Sequence, residues 1–333
     1  MVNLDYLQLA IDEAYKYQLL TYPNPAVGAV VVKEGRVLAI EAHQKAGTSH
    51  AEVLALLATF EVLSGKCVAI DKFDAAAVHH FLVTEAGDGF FKDCTIYVTL
   101  EPCSHRGKTP SCANLIAQLG LKKVVIGALD PIRSHSGGVQ MLRSAGIEVE
   151  MLNSKAAKDL IEPFIIWQKR AFVVFKLAQT LNGQIGGGYI SSQESLTHVH
   201  KIRAVTSKLL IGGNTVRVDR PTLDCRFSEG RAPDIYIYSR SGDFDKSIPL
   251  FSVPDRSVAI GEDLEFLQKP GLVLVEGGEG MLNALEERVD WMLHFVAPLL
   301  KSGEVSYNGR SGLEFLHIAK NSTDLVLWSR IIG

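Results

Sequence analysis

Two short stretches decide the reading of this chain: Thr48-Ser49-His50-Ala51-Glu52 and, further on, Leu100-Glu101-Pro102-Cys103-Ser104-His105-Arg106-Gly107-Lys108-Thr109-Pro110-Ser111-Cys112. Together they supply one imidazole (His50), two thiols (Cys103 and Cys112) and one free carboxylate (Glu52). Zinc takes nitrogen and sulfur donors in a tetrahedron, and a catalytic site uses three protein ligands and leaves the fourth position to water. A carboxylate beside that position can move protons. His50 ahead of a helical run and Cys103 after a strand-like run can converge on one ion. Eight residues separate Cys103 from Cys112, so 104–111 must loop out and return the chain. Cys112 then opens the next helix, where the positive end of the helix dipole favours a thiolate. Two alternatives stay open on these residues alone: a purely structural Cys₂His site, which leaves Glu52 without a task, and a chance His-x-Glu.

Outward from this pair, the apolar spacing predicts a helix over 4–20, with Leu4, Leu7, Ile11, Ala14 and Tyr15 near one face, ended by Tyr22-Pro23-Asn24-Pro25. Strands over 26–32 and 36–43 flank a Lys33-Glu34-Gly35 turn. A helix follows His50. Residues 64–93 carry no clean period, and His79-His80 in that segment read as packing or surface residues. A strand over 94–100 delivers Glu101-Pro102-Cys103, and helices and strands then alternate to residue 152. A helix is expected over 153–170. Later strands are expected at 171–180, 207–212, 234–239, 257–260, 271–276 and 292–300, with helices at 193–205 and 279–288. Strands alternating with helices mean layered α/β sheets. The expected division is a first domain at 1–150, a helical connector at 151–170 and a second domain at 171–333.

The chain has 333 residues, 47% hydrophobic and 21% charged, enough for two ordinary cores. Net charge is −3, which lacks the basic excess of a nucleic-acid binder and suits a small-molecule enzyme. The five cysteines are odd in number, against a disulfide framework. No apolar run reaches a membrane span, and no basic segment leads an apolar core at the N-terminus, so the expected location is cytoplasmic.

The His-x-Glu and Pro-Cys pattern is that of the zinc nucleobase deaminases, but its wide cysteine gap is more specific. Together with Pro23-Asn24-Pro25-Ala26-Val27-Gly28 and Asp130-Pro131, these blocks resemble the bifunctional riboflavin-biosynthesis deaminase/reductase family. The second half resembles that family's reductase through Lys176-Leu177-Ala178-Gln179-Thr180-Leu181-Asn182-Gly183, Arg203-Ala204, Ile211-Gly212-Gly213-Asn214-Thr215-Val216, Asp219-Arg220-Pro221, Arg226 and Val275-Glu276-Gly277-Gly278. The chain departs from the usual family pattern at Thr180, Asn182, Tyr189, Arg220 and Ile132-Arg133, and 64–93 is longer than usual.

The resemblance implies a cytidine-deaminase-like layered domain followed by a dihydrofolate-reductase-like α/β domain. It implies deamination of a diaminopyrimidinone ribosylamino 5′-phosphate, then reduction of its ribosyl group to ribityl with NADPH. It implies that His50, Cys103 and Cys112 hold one zinc and that Glu52 shuttles protons. Asn24, His43, His105, Lys108 and Asp130 would hold the pyrimidine and its tail. Lys176, Arg203, Asp219 and Arg226 would hold the reductase substrate, and Thr215, Glu276, Gly277 and Gly278 the cofactor. From the residues alone, Asn24 and Asp130 could equally shape turns, His43 could pack, and Gly277-Gly278 could be a tight turn. The resemblance also implies a homodimer; the charge balance and the lack of a spanning apolar run lead us to expect no nucleic-acid or membrane partner. A second reading keeps the deaminase and leaves the reductase-like domain non-catalytic.

Overall fold

A computed structural model describes residues 3–332 except 106, 108, 133–135, 187, 189, 304–305 and 307–310. Lys108, Arg133 and Tyr189 therefore lie outside the described residues. The chain forms two compact units, Met1–Ile165 and Ile166–Gly333. No helix among the described residues is long and apolar enough to cross a membrane.

The first unit opens with α1 (Asn3–Tyr15), whose Leu7, Ile11, Ala14 and Tyr15 are buried while Leu4 is exposed. The periodicity predicts helix to residue 20, but α1 stops at Tyr15. Leu19 takes a φ of 68°, which no right-handed helix accommodates, and residues 16–22 run as successive turns. Then β1 (Gly28–Lys33) and β2 (Arg36–Ala42) pair antiparallel around Glu34 and Gly35, both at positive φ, as a two-residue hairpin turn requires. Next come α2 (Ala51–Ser64), α3 (Ala75–Glu85), β3 (Cys94–Leu100), α4 (Cys112–Leu119), β4 (Lys123–Ala128), α5 (Gly138–Ser144), β5 (Glu148–Met151) and α6 (Lys155–Trp167). Within the segment where no period was legible, α3 is started by Asp74, whose carboxylate accepts from the N–H groups of Ala76 and Ala77.

The sheet order is β2-β1-β3-β4-β5, with β3, β4 and β5 parallel. Parallel strands bring their C-terminal ends to one edge, where α/β sheets bind ligands. Cys103 leaves β3 at that edge and Asp130 leaves β4. Helix α2 is apolar nearly all round and buried, held between the sheet and α3 and α4. Its first-turn residues Ala51 and Glu52 are therefore buried.

The second unit contains β6 (Ala171–Thr180), α7 (Gln193–Val205), β7 (Lys208–Gly212), α8 (Gly213–Asp219), β8 (Asp234–Tyr238), β9 (Val258–Gly261), β10 (Gly271–Glu276), α9 (Glu279–Leu285), β11 (Trp291–Ala297), β12 (Gly312–Asn321) and β13 (Asp324–Ile332). Its sheet order is β12-β13-β11-β6-β10-β7-β8-β9. Strands β11, β6, β10, β7, β8 and β9 are parallel, and β13 and β12 close one side antiparallel. The β12–β13 hairpin and α8 were not expected from the sequence. Strand β12 carries a register shift between Phe315 and His317, which breaks the alternation a strand reading relies on.

Candidate active site

The three candidate ligands and Glu52 are placed where a strand ends or a helix begins. His50 is the N-cap of α2 and Glu52 lies in its first turn. Cys112 is the first residue of α4, whose N-cap Ser111 accepts from the N–H of Asn114 and donates to the carbonyl of Cys103 at 2.7 Å. The same carbonyl accepts the N–H of Ala113 at 3.1 Å, and the N–H of Cys112 points at Cys103 Sγ at 3.4 Å. The loop predicted over 104–111 thus closes on itself at its base, and the start of α4 faces Cys103.

The His50 Nδ1 lies 3.8 Å from Cys103 Sγ and 3.3 Å from Cys112 Sγ, and all three donor atoms fall within 4.8 Å of one another. Nitrogen and sulfur ligands of one tetrahedral zinc stand about 3.6 Å apart, so the donor set and its spacing suit that ion. The Nε2 of His50 meets Thr109 Oγ1 at 3.2 Å. That contact leaves Nδ1 to face the two sulfurs and fixes the ring, the usual task of an outer partner to a ligating histidine.

The thiols are electrostatically coupled. The hydrogen bond from Cys112 holds Cys103 down at about 4 against burial, with help from His50. The same contact and burial push Cys112 upward. A cation between them removes that competition for one proton. Glu52 is 4% exposed, and burial raises its pKa to about 6 although His50 pulls it back.

Asn24 and His43 come together beside the imidazole. His43 Nδ1 donates to the carbonyl of Ser49 at 3.1 Å, so its Nε2 accepts from Asn24 Nδ2 at 3.2 Å. Burial and then His50 lower His43 to about 4, so the ring is neutral and the tautomer unambiguous. His43 and His50 meet edge to face at 5.2 Å between centroids. Asp130 Oδ1 accepts the N–H of Ile132, and His105 is exposed.

In the second unit, Lys176 on β6 and Glu276 on β10 are register partners. Lys176 Nζ lies 3.3 Å from Glu276 Oε2. Arg203 grips the same carboxylate with two bonds, Nε to Oε1 at 2.7 Å and Nη2 to Oε2 at 2.9 Å, and its Nη1 donates to the carbonyl of Asp224. Arg203 and Glu276 are 9% and 8% exposed. Arg203 and Lys176 thus both meet the Glu276 carboxylate, and the three side chains form one ion-paired cluster. Burial alone would raise Glu276; Arg203 and then Lys176 overcome it and hold the group well below the usual carboxylate range.

The other second-unit residues are more dispersed. Asp219 ends α8 and is exposed; Arg226 pairs with Asp224 at 2.8 Å and is half exposed. Thr215 lies on α8 after the glycine pair. Gly277 runs so close to Met281 that a Cβ would stand 2.8 Å from its side chain, and Gly278 precedes α9. The departures Thr180 and Asn182 form a local turn: Thr180 Oγ1 donates to Asn182 Oδ1 at 2.7 Å, and Asn182 binds the backbone of Lys301 through both amide atoms. Arg220 sits at a φ of 44° and pairs with Asp245 at the surface.

Comparison with known proteins matches two family models. Residues 2–128 match the cytidine and deoxycytidylate deaminase zinc-binding region, and residues 171–324 the RibD C-terminal domain. The riboflavin biosynthesis protein RibD of Corynebacterium ammoniagenes is 30% identical over 322 residues, 90% of this chain and 87% of that protein. The chain belongs to the RibD family. The RibD protein of Aquifex aeolicus is 39% identical over 235 residues, 68% of this chain; there the chain spans 58% of the relative's length. A crystal structure of a diaminohydroxyphosphoribosylaminopyrimidine deaminase/5-amino-6-(5-phosphoribosylamino)uracil reductase from Thermotoga maritima is similar in fold. Its TM-score is 0.66 at 27% identity, covering 99% of both chains. The fold is accordingly a cytidine-deaminase-like domain followed by a RibD reductase domain of the dihydrofolate-reductase type.

Sequence reading did not single out Thr109 and Ser111, which the structure brings against His50 and Cys103. Thr109 and Ser111 sit inside the cysteine gap, and only the closed loop turns them inward. All five cysteines are free, as their odd number suggested.

Two outcomes follow for this site. Replacing Thr109 with Val removes the partner of His50 Nε2 and should weaken zinc affinity about 10–100-fold, read by competition with a chromophoric chelator. Glu276 has a folded pKa below its unfolded value of about 4.3, so its stabilisation is full above that value and is lost as pH falls. The urea midpoint of the second unit should therefore fall progressively as pH drops below about 4.3, and Glu276→Gln should flatten that dependence.

Proposed function

We propose that the chain is a bifunctional enzyme of riboflavin biosynthesis. Its first domain, 1–150, hydrolytically deaminates 2,5-diamino-6-ribosylamino-4(3H)-pyrimidinone 5′-phosphate. Its second, 171–333, joined through a helical segment at 151–170, reduces the ribosyl group of the product to ribityl with NADPH. The observation that carries the proposal is the convergence of His50, Cys103 and Cys112 beside buried Glu52, in a chain whose other half matches the RibD C-terminal domain. When bound by those three residues, zinc supplies the Lewis acidity that makes hydroxide available near neutral pH.

The protein's own groups do the rest. Glu52, buried beside the three ligands, moves a proton between the attacking water and the ring nitrogen. Asn24, fixed through its amide nitrogen by neutral His43, keeps Oδ1 as an acceptor for an N–H on the ring edge. Asp130 and His105 stand at the same sheet edge for the remaining polar groups. Lys176 pairs with Glu276 in the reductase half, and Thr215 in the first turn of α8 and Gly277-Gly278 after β10 follow strand ends suited to a dinucleotide phosphate. Hydride transfer asks mainly for alignment of the nicotinamide with the sugar carbon. A cytosolic homodimer through the reductase sheet belongs to the same proposal. It is supported by Phe315 and Ile318 of edge strand β12, which share one face and are 57% and 55% exposed.

A coupled assay tests the proposal. Zinc-loaded protein given the diaminopyrimidine should release ammonia without NADPH, and should consume NADPH once it is added. Ammonia release without NADPH consumption would leave only the deaminase. Glu52→Gln should retain zinc and lose about 10²–10⁴ in deamination rate, whereas Cys103→Ser and Cys112→Ser should lose the metal. A fully active Glu52→Gln enzyme would remove Glu52 from its role.

A further inference from the structure

One buried side chain joins the strand end that carries Cys103 to the loop that carries Asp130. Glu101 is 5% exposed. Its Oε1 accepts from the N–H groups of Gly137 at 3.0 Å and Val139 at 3.1 Å, and its Oε2 from the N–H of Asp130 at 3.3 Å. Its own N–H donates to the carbonyl of Ala128 on β4 at 2.9 Å. A carboxylate has two oxygens and about four acceptor sites, so one side chain can meet donors from both ends of the 130–139 segment. Gly137, the N-cap of α5, has no side chain to satisfy the opening N–H groups of that helix; Glu101 supplies the acceptor from β3.

Two further contacts tighten the joint. Ser104 Oγ donates to the carbonyl of Ser136 at 2.7 Å. Gly138 passes so near Pro102 that a Cβ would fall 1.9 Å from the Pro102 carbonyl oxygen. The residues on either side of Cys103 are thus both fastened to the segment that follows Asp130. Glu101 offers no donor to the His50, Cys103 and Cys112 cluster, so metal binding does not account for its burial.

We infer that Glu101 is a positioning residue, which sets where Asp130 stands relative to Cys103 and hence how well the pyrimidine seats in the deaminase site. This inference rests on the proposed deamination. The informative change is Glu101→Gln. It keeps the size, but an amide nitrogen cannot accept, so at least one of the three backbone N–H groups loses its partner.

The variant should keep wild-type zinc content and a kcat within about threefold, while KM for the pyrimidine rises about tenfold. Amide hydrogen exchange should quicken in 130–139 and stay unchanged in 51–64 and 112–119. Combined with Asp130→Asn, it should raise KM no further than Asp130→Asn alone, because both changes would act through one group. Unchanged KM and exchange, independent multiplication of the two KM effects, or loss of zinc in step with activity would each overturn the inference. If Glu101→Gln does not fold, Glu101→Asp, one methylene short of the same donors, carries the same expectations. Wild-type protein without deaminase activity would instead remove the proposed function. The exchange measurement needs no substrate and judges Glu101 by itself.

Discussion

Two thiols and an imidazole nitrogen lie within 4.8 Å of one another, and the two sulfurs compete for one proton. The first unit is arranged around that constraint. A thiolate away from water needs dipoles aimed at it. The start of α4 provides them, its first N–H reaching Cys103 Sγ and its second the Cys103 carbonyl. The loop between the cysteines is long but not loose: Ser111 ties its end back to Cys103, and Thr109, in its middle, turns to hold the imidazole. The gap that sets this chain apart from a compact cysteine pair also contributes a partner for the histidine ligand.

Burial does different work on the neighbouring groups. It raises the pKa of Glu52 and lowers that of His43, which leaves His43 a fixed neutral hydrogen-bonding ring. Both shifts follow from the apolar interior that α2 and the sheet create. The second unit meets the same cost in another way. Its buried carboxylate, Glu276, stays charged because Arg203 grips both oxygens and Lys176 stands opposite in register. Removing one partner from such a buried pair costs about 3–5 kcal/mol, since the other charge is left uncompensated.

Much of this was readable from residue order. Strand β6, helix α7 and strand β10 run over the residues their patterns indicated, because each is a sustained apolar run or helical period bounded by breakers. The end of α1 was misjudged, since nothing in Leu19 announces a left-handed backbone. Helix α3 was illegible because exposed Ala76 and Val83 blur the spacing of its buried Ala75, Val78 and Leu82, and because its start depends on one aspartate side chain. The β12–β13 hairpin was missed where a bulge interrupts alternation and large apolar residues stay exposed. The partner of Arg203 was not legible for a clearer reason: an arginine's fork fits a carboxylate as well as a phosphate, and sequence does not say which anion stands opposite.

By itself, the sequence determined the zinc donor set, the adjacent carboxylate and the two α/β sheets, because these follow from residue type, short spacing and periodicity. Tertiary structure alone decided which side chains serve those groups: Thr109 on His50, Asn24 on His43, Glu276 on Arg203, and Glu101 across to Asp130. Each such pairing joins residues 19 to 73 positions apart. At those separations only the packing of strand ends and helix starts brings donor to acceptor, and no local pattern in the chain records it.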